Sequence, residues 1–331
     1  MPHLQDTSPI VLTIAGSDSG GGAGIQADIK SCAAFGVYSA TAITAVTAQN
    51  TMGVQQVELM PAELVRAQIR SVLSDIGADV IKIGMLGSAE IIEVVAEEIE
   101  DSDAFVILDP VMVATSGDNL LEEKAIETLK TKLLPLADLI TPNVPEAELL
   151  TGLKIDDVDD LTKAGDALLK MNVYAALMKG GHLDGKSVVD VLVSEEGANI
   201  MSGPRIRSRH THGTGCTLAS AVAACMALGA PLEEAVMSAR EFVFQAIKTA
   251  PGLGQGNGPL NHGLVYQGED APAPEQGLAV QMAQYERSLI AAALVRYGGS
   301  LKATYEGLGL SRKALYEKMQ KHGLDKGDFT E

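Results

Sequence analysis

The 331-residue chain is long enough for one large α/β domain and a small appendage, and at 46% apolar it can bury an ample core. A net charge of −18 argues against a protein whose main business is binding nucleic acid, and three scattered cysteines, Cys32, Cys216 and Cys225, argue against a disulfide scaffold. Met1–Pro9 has no cationic segment before a cleavable apolar stretch, and no run nears the roughly 18 apolar residues of a membrane span, so a cytoplasmic protein without a membrane partner is expected.

Strand-like and helix-like patterns alternate through residue 266. Ile10–Ala15 reads as a short strand, followed by a glycine loop and a helix from Gly24 to Phe35. Tyr38–Thr47 is strand-like and Pro61–Asp75 helical; Val80–Ile83 and Phe105–Leu108 are short buried strands flanking a helix over Ala89–Glu98. Helices near Glu123–Leu133 and Leu161–Met171 interleave with strands at Leu139–Thr141, Ala175–Met178 and Val188–Val193. Two long helices, Thr214–Leu228 and Leu232–Thr249, close the series. Continuous apolar strands separated by helices predict a mostly parallel sheet flanked by helices on both faces. Ligands then belong beyond the carboxyl ends of the strands. Residues 267–281 read as a Pro/Gly linker, and 282–331 as three short helices separated by glycine turns, a small all-α helix-turn-helix domain.

Polar residues gather just after the strands. The loop Gly16–Asp28 opens a helix, yet Gly24 is followed by Ile25-Gln26 and not by the Lys-Ser/Thr of a P-loop. Gly22-Ala23-Gly24-Ile25-Gln26-Ala27 fits the loose dinucleotide pattern, but the next strand ends in Gln49-Asn50 without a ribose-binding carboxylate. A structural turn is the plain alternative; Asp28 and Gln49 together suit the donor and acceptor edge of a flat heterocycle. At His212-Gly213-Thr214-Gly215-Cys216 two glycines lead into an apolar helix, the arrangement of an anion site at a helix N-terminus. Cys216 lies in the first turn, where a thiol pKa is expected to be lowered and the thiolate can act as a base. A covalent thiol nucleophile with His212 as its base is the alternative. Asp109, Glu146 and Lys179 each follow a strand; the two carboxylates suit direct or water-mediated magnesium ligation, and the lysine a phosphate charge.

Taken in order, Gly16–Asp28, Ala48-Gln49-Asn50-Thr51, Lys82-Ile83-Gly84-Met85-Leu86, Leu108–Met112, Thr141–Glu146, Met178–His182, Thr211–Cys216 and Gly258-Pro259-Leu260-Asn261-His262 resemble the hydroxymethylpyrimidine/phosphomethylpyrimidine kinase family of thiamin biosynthesis, over about Pro9 to Gly263. That resemblance implies a ribokinase-like domain over residues 1–266 that uses ATP and Mg2+. Its acceptors would be 4-amino-5-hydroxymethyl-2-methylpyrimidine and then the monophosphate, and the protein would be a homodimer. It further implies Asp28 and Gln49 on the aminopyrimidine, with Gly16, Met85 and Val111 packed near the ring. Cys216 would be the base, Gly213 and Gly215 the anion hole, and Asp109, Glu146, Lys179 and Thr214 the Mg-ATP side, with Met112–Gly117 a lid. A pyridoxal or pyridoxine kinase of the same fold is the alternative.

The segment from Tyr285 to Leu324 resembles the Fis-type helix-turn-helix of bacterial regulators. Ser311 suits an N-cap, Leu315 and Met319 a buried face, and Arg312, Lys313, Lys318 and Lys321 are the candidates to reach DNA. Thr304 and Tyr305 replace the family's paired alanines, and Glu317 stands where a basic residue is usual. From Ala283 to Glu331 eight Lys/Arg face six Asp/Glu, a balance of +2. DNA binding, which would make the protein a pyrimidine-sensing regulator, and a dimerisation or docking role both remain open.

Overall fold

The computed structural model describes residues 8–112, 123–263 and 278–324. The chain divides into two compact units, Met1–Tyr266 and Gln267–Glu331. Most of the expected lid, residues 113–117, and of the expected linker, 267–277, lie outside the described residues.

The first unit is built on a nine-stranded sheet of order β3-β2-β1-β4-β5-β6-β7-β8-β9. Strands β1 (Ile10–Asp18), β2 (Tyr38–Asn50), β4 (Val80–Ile83), β5 (Phe105–Leu108), β6 (Leu139–Ile140) and β7 (Ala175–Met178) run parallel. Antiparallel strands finish both edges: β3 (Gly53–Leu59) at one, β8 (Ser187–Ser194) and β9 (Gly197–Pro204) at the other. The alternation of side chains along each central strand splits the core in two. Leu12, Ile14, Ile81, Ile83, Leu108 and Ile140 pack under α2 (Ala62–Leu73), α3 (Ala89–Ile99), α5 (Val144–Thr151) and α6 (Val158–Leu169). Val11, Val80, Ile107, Leu139 and Leu177 pack under α1 (Gly24–Ala34), α7 (Thr214–Ala227) and α8 (Leu232–Lys248).

Three local features differ from the sequence expectation. Strands β3 and β9 were not expected, because both are largely exposed edges without an apolar alternation. Thr141–Glu146, expected as a loop stiffened by prolines, carries the start of α5. Pro145 sits near the helix N-terminus, where its missing N–H costs nothing, and Asn143 and Glu146 form a reciprocal capping box. The helix over Glu123–Leu133 is α4 (Glu123–Thr128) running into a π turn, Leu129–Leu133.

The second unit contains α9 (Leu278–Arg296), α10 (Leu301–Gly307) and α11 (Arg312–His322), joined through a small core of Ile290, Leu294, Leu315 and Met319. Helix α9 begins four residues before the expected Met282, within the segment expected as linker. Ser300 and Ser311 cap α10 and α11 through their hydroxyls.

Candidate active site

Backbone pairing sets the site residues along one sheet edge. The amides of Gly84, Asp109, Thr141 and Lys179 donate to Ile14, Ile83, Leu108 and Pro142 in turn, so each strand's ladder continues one step into the loop that follows it. Side chains from successive strands therefore line one cleft of about 1100 Å³.

Two glycine loops close over this edge. Asp18, at the end of β1, accepts from the amides of Gly20 (2.7 Å), Gly22 (2.9 Å) and Ala23 (2.9 Å) and from His212 Nε2 (2.9 Å). Burial pushes its carboxyl up, and the His212 and amide donors outweigh that, holding it below the ordinary value. Gly213 caps α7 at φ 80°, and a Cβ there would stand 1.8 Å from the Gly22 carbonyl oxygen. Only glycine permits that approach. His212 is thus committed to Asp18, which argues against its serving as a base for Cys216. Its neighbour Gln49 accepts from Thr47 Oγ1 (3.1 Å) and has its amide nitrogen 3.4 Å from His212 Nε2. The Gln49 carboxamide lines the cleft beside this ring.

The first-turn amides of α7 lie ahead of its internal hydrogen-bond ladder. Gly215 is pressed against the charged cluster: a Cβ there would be 3.2 Å from Lys179 Nζ and 3.6 Å from Asp109 Oδ2. Lys179 Nζ is 2.9 Å from Asp109 Oδ1 and 3.9 Å from Glu146 Oε2, and Thr141 Oγ1 donates to Asp109 at 3.0 Å. Burial raises the Asp109 carboxyl, but the Lys179 and Lys82 cations outweigh it and keep it ionised. Burial, reinforced by Asp109 and opposed by Lys179, pushes Glu146 up to about 7. The cluster is short of positive charge, which fits a cation-binding pair of carboxylates.

Cys216 lines the cleft beside them. Its thiol is not lowered as the helix position suggested. Burial pushes it up to about 11, with Asp109 and Asp28 adding to the rise and Lys82 and the Gly24 amide opposing it. Desolvation and two nearby carboxylates outweigh the helix terminus.

Asp28, expected on the aminopyrimidine, is fully buried, forms an ion pair with Lys82 at 2.8 Å, accepts from Ser220 at 2.6 Å, and is not among the residues lining the cleft. Its place one turn into α1 turns it inward between the helices. Gly16, Gln49, Met85, Val111 and Thr214 do line the cleft. Sequence reading missed Asp18, whose role depends on a loop nearly two hundred residues away, and the opposite wall. That wall comprises Pro204, Ile206, Val243, Phe244 and Ile247 with Arg240, which is held by Asp190 at 2.9 Å. The one available signal was the spacing of Arg240, Val243, Phe244 and Ile247 on one face of α8.

In the second unit Lys318 pairs with Glu286 of α9, as do Lys321 at 3.0 Å and His322 at 2.8 Å. Two of the four basic candidates on α11, Lys318 and Lys321, are therefore paired within the unit. Lys313 lies 3.7 Å from Glu317, and the Arg312 guanidinium sits over the Tyr316 ring at 5.8 Å. Thr304, in an alanine position of the resembled module, is buried with its hydroxyl donating to Ser300 O at 2.9 Å.

A mostly parallel sheet whose strand ends carry two glycine loops, a buried Asp–Lys–Glu cluster and a large cleft is the architecture of a ribokinase-like small-molecule kinase. Residues 18–261 match the family model described as phosphomethylpyrimidine kinase, and the chain belongs to that family. It is 51% identical over 262 residues to a hydroxymethylpyrimidine/phosphomethylpyrimidine kinase of Streptomyces coelicolor, covering 79% of this chain and 97% of the relative. The crystal structure of phosphomethylpyrimidine kinase from Clostridium difficile 630 superposes with a TM-score of 0.65 at 44% identity, covering 72% of this chain and 99% of that one. An ADP complex of Bacillus subtilis pyridoxal kinase superposes with a TM-score of 0.73 at 38% identity, covering 78% of this chain and 98% of that one. Residues 281–322 match the model described as bacterial regulatory protein, Fis family. No helix among the described residues is long and apolar enough to cross a membrane.

Proposed function

We propose that the first unit transfers the γ-phosphoryl group of ATP to the hydroxymethyl oxygen of 4-amino-5-hydroxymethyl-2-methylpyrimidine and then phosphorylates the monophosphate to the pyrophosphate. The observation that supports this reading is that Gly213, Thr214, Gly215 and Cys216 line the same cleft as Asp109, Lys179 and Glu146. The Gln49 carboxamide suits the donor and acceptor edge of the aminopyrimidine, and Gly16, Met85 and Val111 supply flat apolar contact. Reacting as its thiolate, Cys216 takes the acceptor hydroxyl proton while the acceptor oxygen bonds phosphorus. The bond from phosphorus to the bridging oxygen breaks, and ADP leaves. The Gly213 and Gly215 amides and Lys179 hold the charge that moves along this path. Asp109 and Glu146 would hold Mg2+, directly or through water, and the ion when bound would neutralise phosphate charge. The apolar wall of α8 and Pro204 suits the base of the nucleotide.

Pyridoxal is a second acceptor of similar shape, and the superposition on pyridoxal kinases favours testing it. Turnover of the pyrimidine and of pyridoxal, each with wild type and Cys216→Ala, tests both points. The expected result is faster turnover of the pyrimidine, lost in the variant by a factor of roughly 10² or more with pyrimidine binding kept. Faster turnover of pyridoxal, or an unchanged variant, would overturn the reading. For the second unit, the Fis-type match supports DNA binding coupled to the kinase, with Arg312 and Lys313 exposed at the start of α11 and Lys321 exposed near its end; a cytoplasmic location fits both roles.

A further inference from the structure

Gly258-Pro259-Leu260-Asn261-His262 carries part of the family resemblance but takes no part in the phosphoryl transfer just described. It runs beside the second glycine loop. The His212 amide donates to Gly258 O at 3.1 Å, and His212 pairs with Pro259 in a short parallel bridge. The Asn261 amide donates to Ala246 O of α8 at 3.0 Å, and Leu260 is buried in the core layer of α7 and α8. His262 ends the segment, buried, with Nε2 2.8 Å from Thr217 Oγ1 of α7.

Thr217 is fully buried, and its hydroxyl meets two partners: Oγ1 lies 2.8 Å from Gly213 O and 2.8 Å from His262 Nε2. A hydroxyl has one proton to give, and a carbonyl oxygen can only accept. Both contacts are hydrogen bonds only when Thr217 donates to Gly213 O and a proton on His262 Nε2 is donated to Oγ1. Receiving that bond strengthens the one the hydroxyl makes in turn. The Gly213 carbonyl also accepts the Thr217 amide at 2.9 Å, so it is held twice. It shares one rigid peptide plane with the Thr214 amide, which turns back onto Thr211 O at 3.2 Å. The amides of Gly213, Gly215 and Cys216 have no backbone acceptor among the described residues. They are the donors left for an anion, and Gly213, at φ 80°, is the pivot among them. The segment thus grips both flanks of that pivot, the His212 amide through Gly258 O and the Gly213 carbonyl through His262 and Thr217.

We propose that His262 is a positioning residue for phosphoryl transfer: through Thr217 it fixes the Gly213 carbonyl and so holds the neighbouring amides toward the charge that moves between donor and acceptor. This rests on the proposed anion-hole role of those amides.

The test compares His262→Leu, His262→Gln and Thr217→Val in the full-length protein. Gln places its amide nitrogen near the position of Nε2 and can donate to Thr217, whereas Leu fills the space without a donor. In His262→Leu kcat should fall by about tenfold, the size of one well-made hydrogen bond, with KM for ATP and for the pyrimidine each within about twofold. His262→Gln should recover most of kcat. Thr217→Val should lose a similar factor, and adding His262→Leu to it should cost little more, because both act through one carbonyl. Turnover is read well below each variant's thermal midpoint, which separates positioning from folding. Unchanged kcat in His262→Leu, equal losses in the Leu and Gln variants, or losses that multiply in the double variant would each overturn the proposal. Binding of ADP with and without tetrafluoroaluminate, a stand-in for the phosphoryl group in transfer, distinguishes the two readings. Wild type should bind ADP more tightly with the fluoride, and His262→Leu should lose most of that gain while binding ADP alone as before. A gain kept in full by His262→Leu overturns the role of His262 alone; no gain in wild type removes the anion-hole reading and this proposal with it.

Discussion

At the scale of single residues, the site rests on close approaches that few side chains tolerate. Gly213 combines a left-handed φ of 80° with a Cβ position 1.8 Å from the Gly22 carbonyl. Gly213→Ala should therefore destabilise the unit by about 2 kcal/mol or more and remove turnover, as read by thermal denaturation alongside an activity assay. Glu146 offers a test of charge. Its carboxyl lies above its ordinary value of 4.5, at about 7, so the folded chain binds a proton more tightly than the unfolded one. Its contribution to stability is fully present below pH 4.5 and is lost as pH climbs through about 7. Glu146→Gln keeps the capping geometry and removes that titration. In urea denaturation the variant should gain on wild type between pH 5 and pH 8, by an amount on the order of 1–3 kcal/mol. Cys216 and Asp28 show where residue-level reading stops. Helix position alone suggested a lowered thiol and a carboxylate in the pocket, whereas burial and neighbours from other elements set both.

At the scale of elements, legibility followed burial. Strands β4, β5 and β7 announce themselves as apolar runs because helices cover both their faces. Strands β3 and β9 are exposed edges whose pairing is long-range, and no local pattern marks them. Helix α5 was hidden by Pro145, which reads as a loop residue unless Asn143 is recognised as its cap. In the second unit the geometry of α9 against α11 changes the reading of the basic residues, because Glu286 holds Lys318, Lys321 and His322. Glu286→Gln should release these cations. DNA retention by the full-length protein should then strengthen, and its dependence on salt should steepen by about 1–2 counterions in a titration against potassium chloride. An unchanged salt slope would place α11 away from phosphate.

At the scale of the whole molecule, the kinase relative from Streptomyces coelicolor is matched over 97% of its own length by part of this chain, so the kinase unit corresponds to a protein that exists alone. Truncation after Tyr266 should leave pyrimidine turnover within about twofold while abolishing any salt-dependent shift of DNA, measured on the same preparations; lost turnover would make the second unit part of the enzyme. The sequence by itself determined the class of fold, the order of the central strands' motifs, the glycine entry to α7 and the presence of two modules. These are written in local periodicity and in glycine, cap and apolar patterns that neighbouring residues impose on one another. Only the tertiary structure decided that Asp18 joins the two glycine loops, that Asp28 pairs with Lys82 in the core, that burial pushes the Cys216 thiol up, and that α8 supplies part of the cleft wall. Each of these depends on desolvation or on charge brought together from distant parts of the chain, and no spacing along the sequence encodes either.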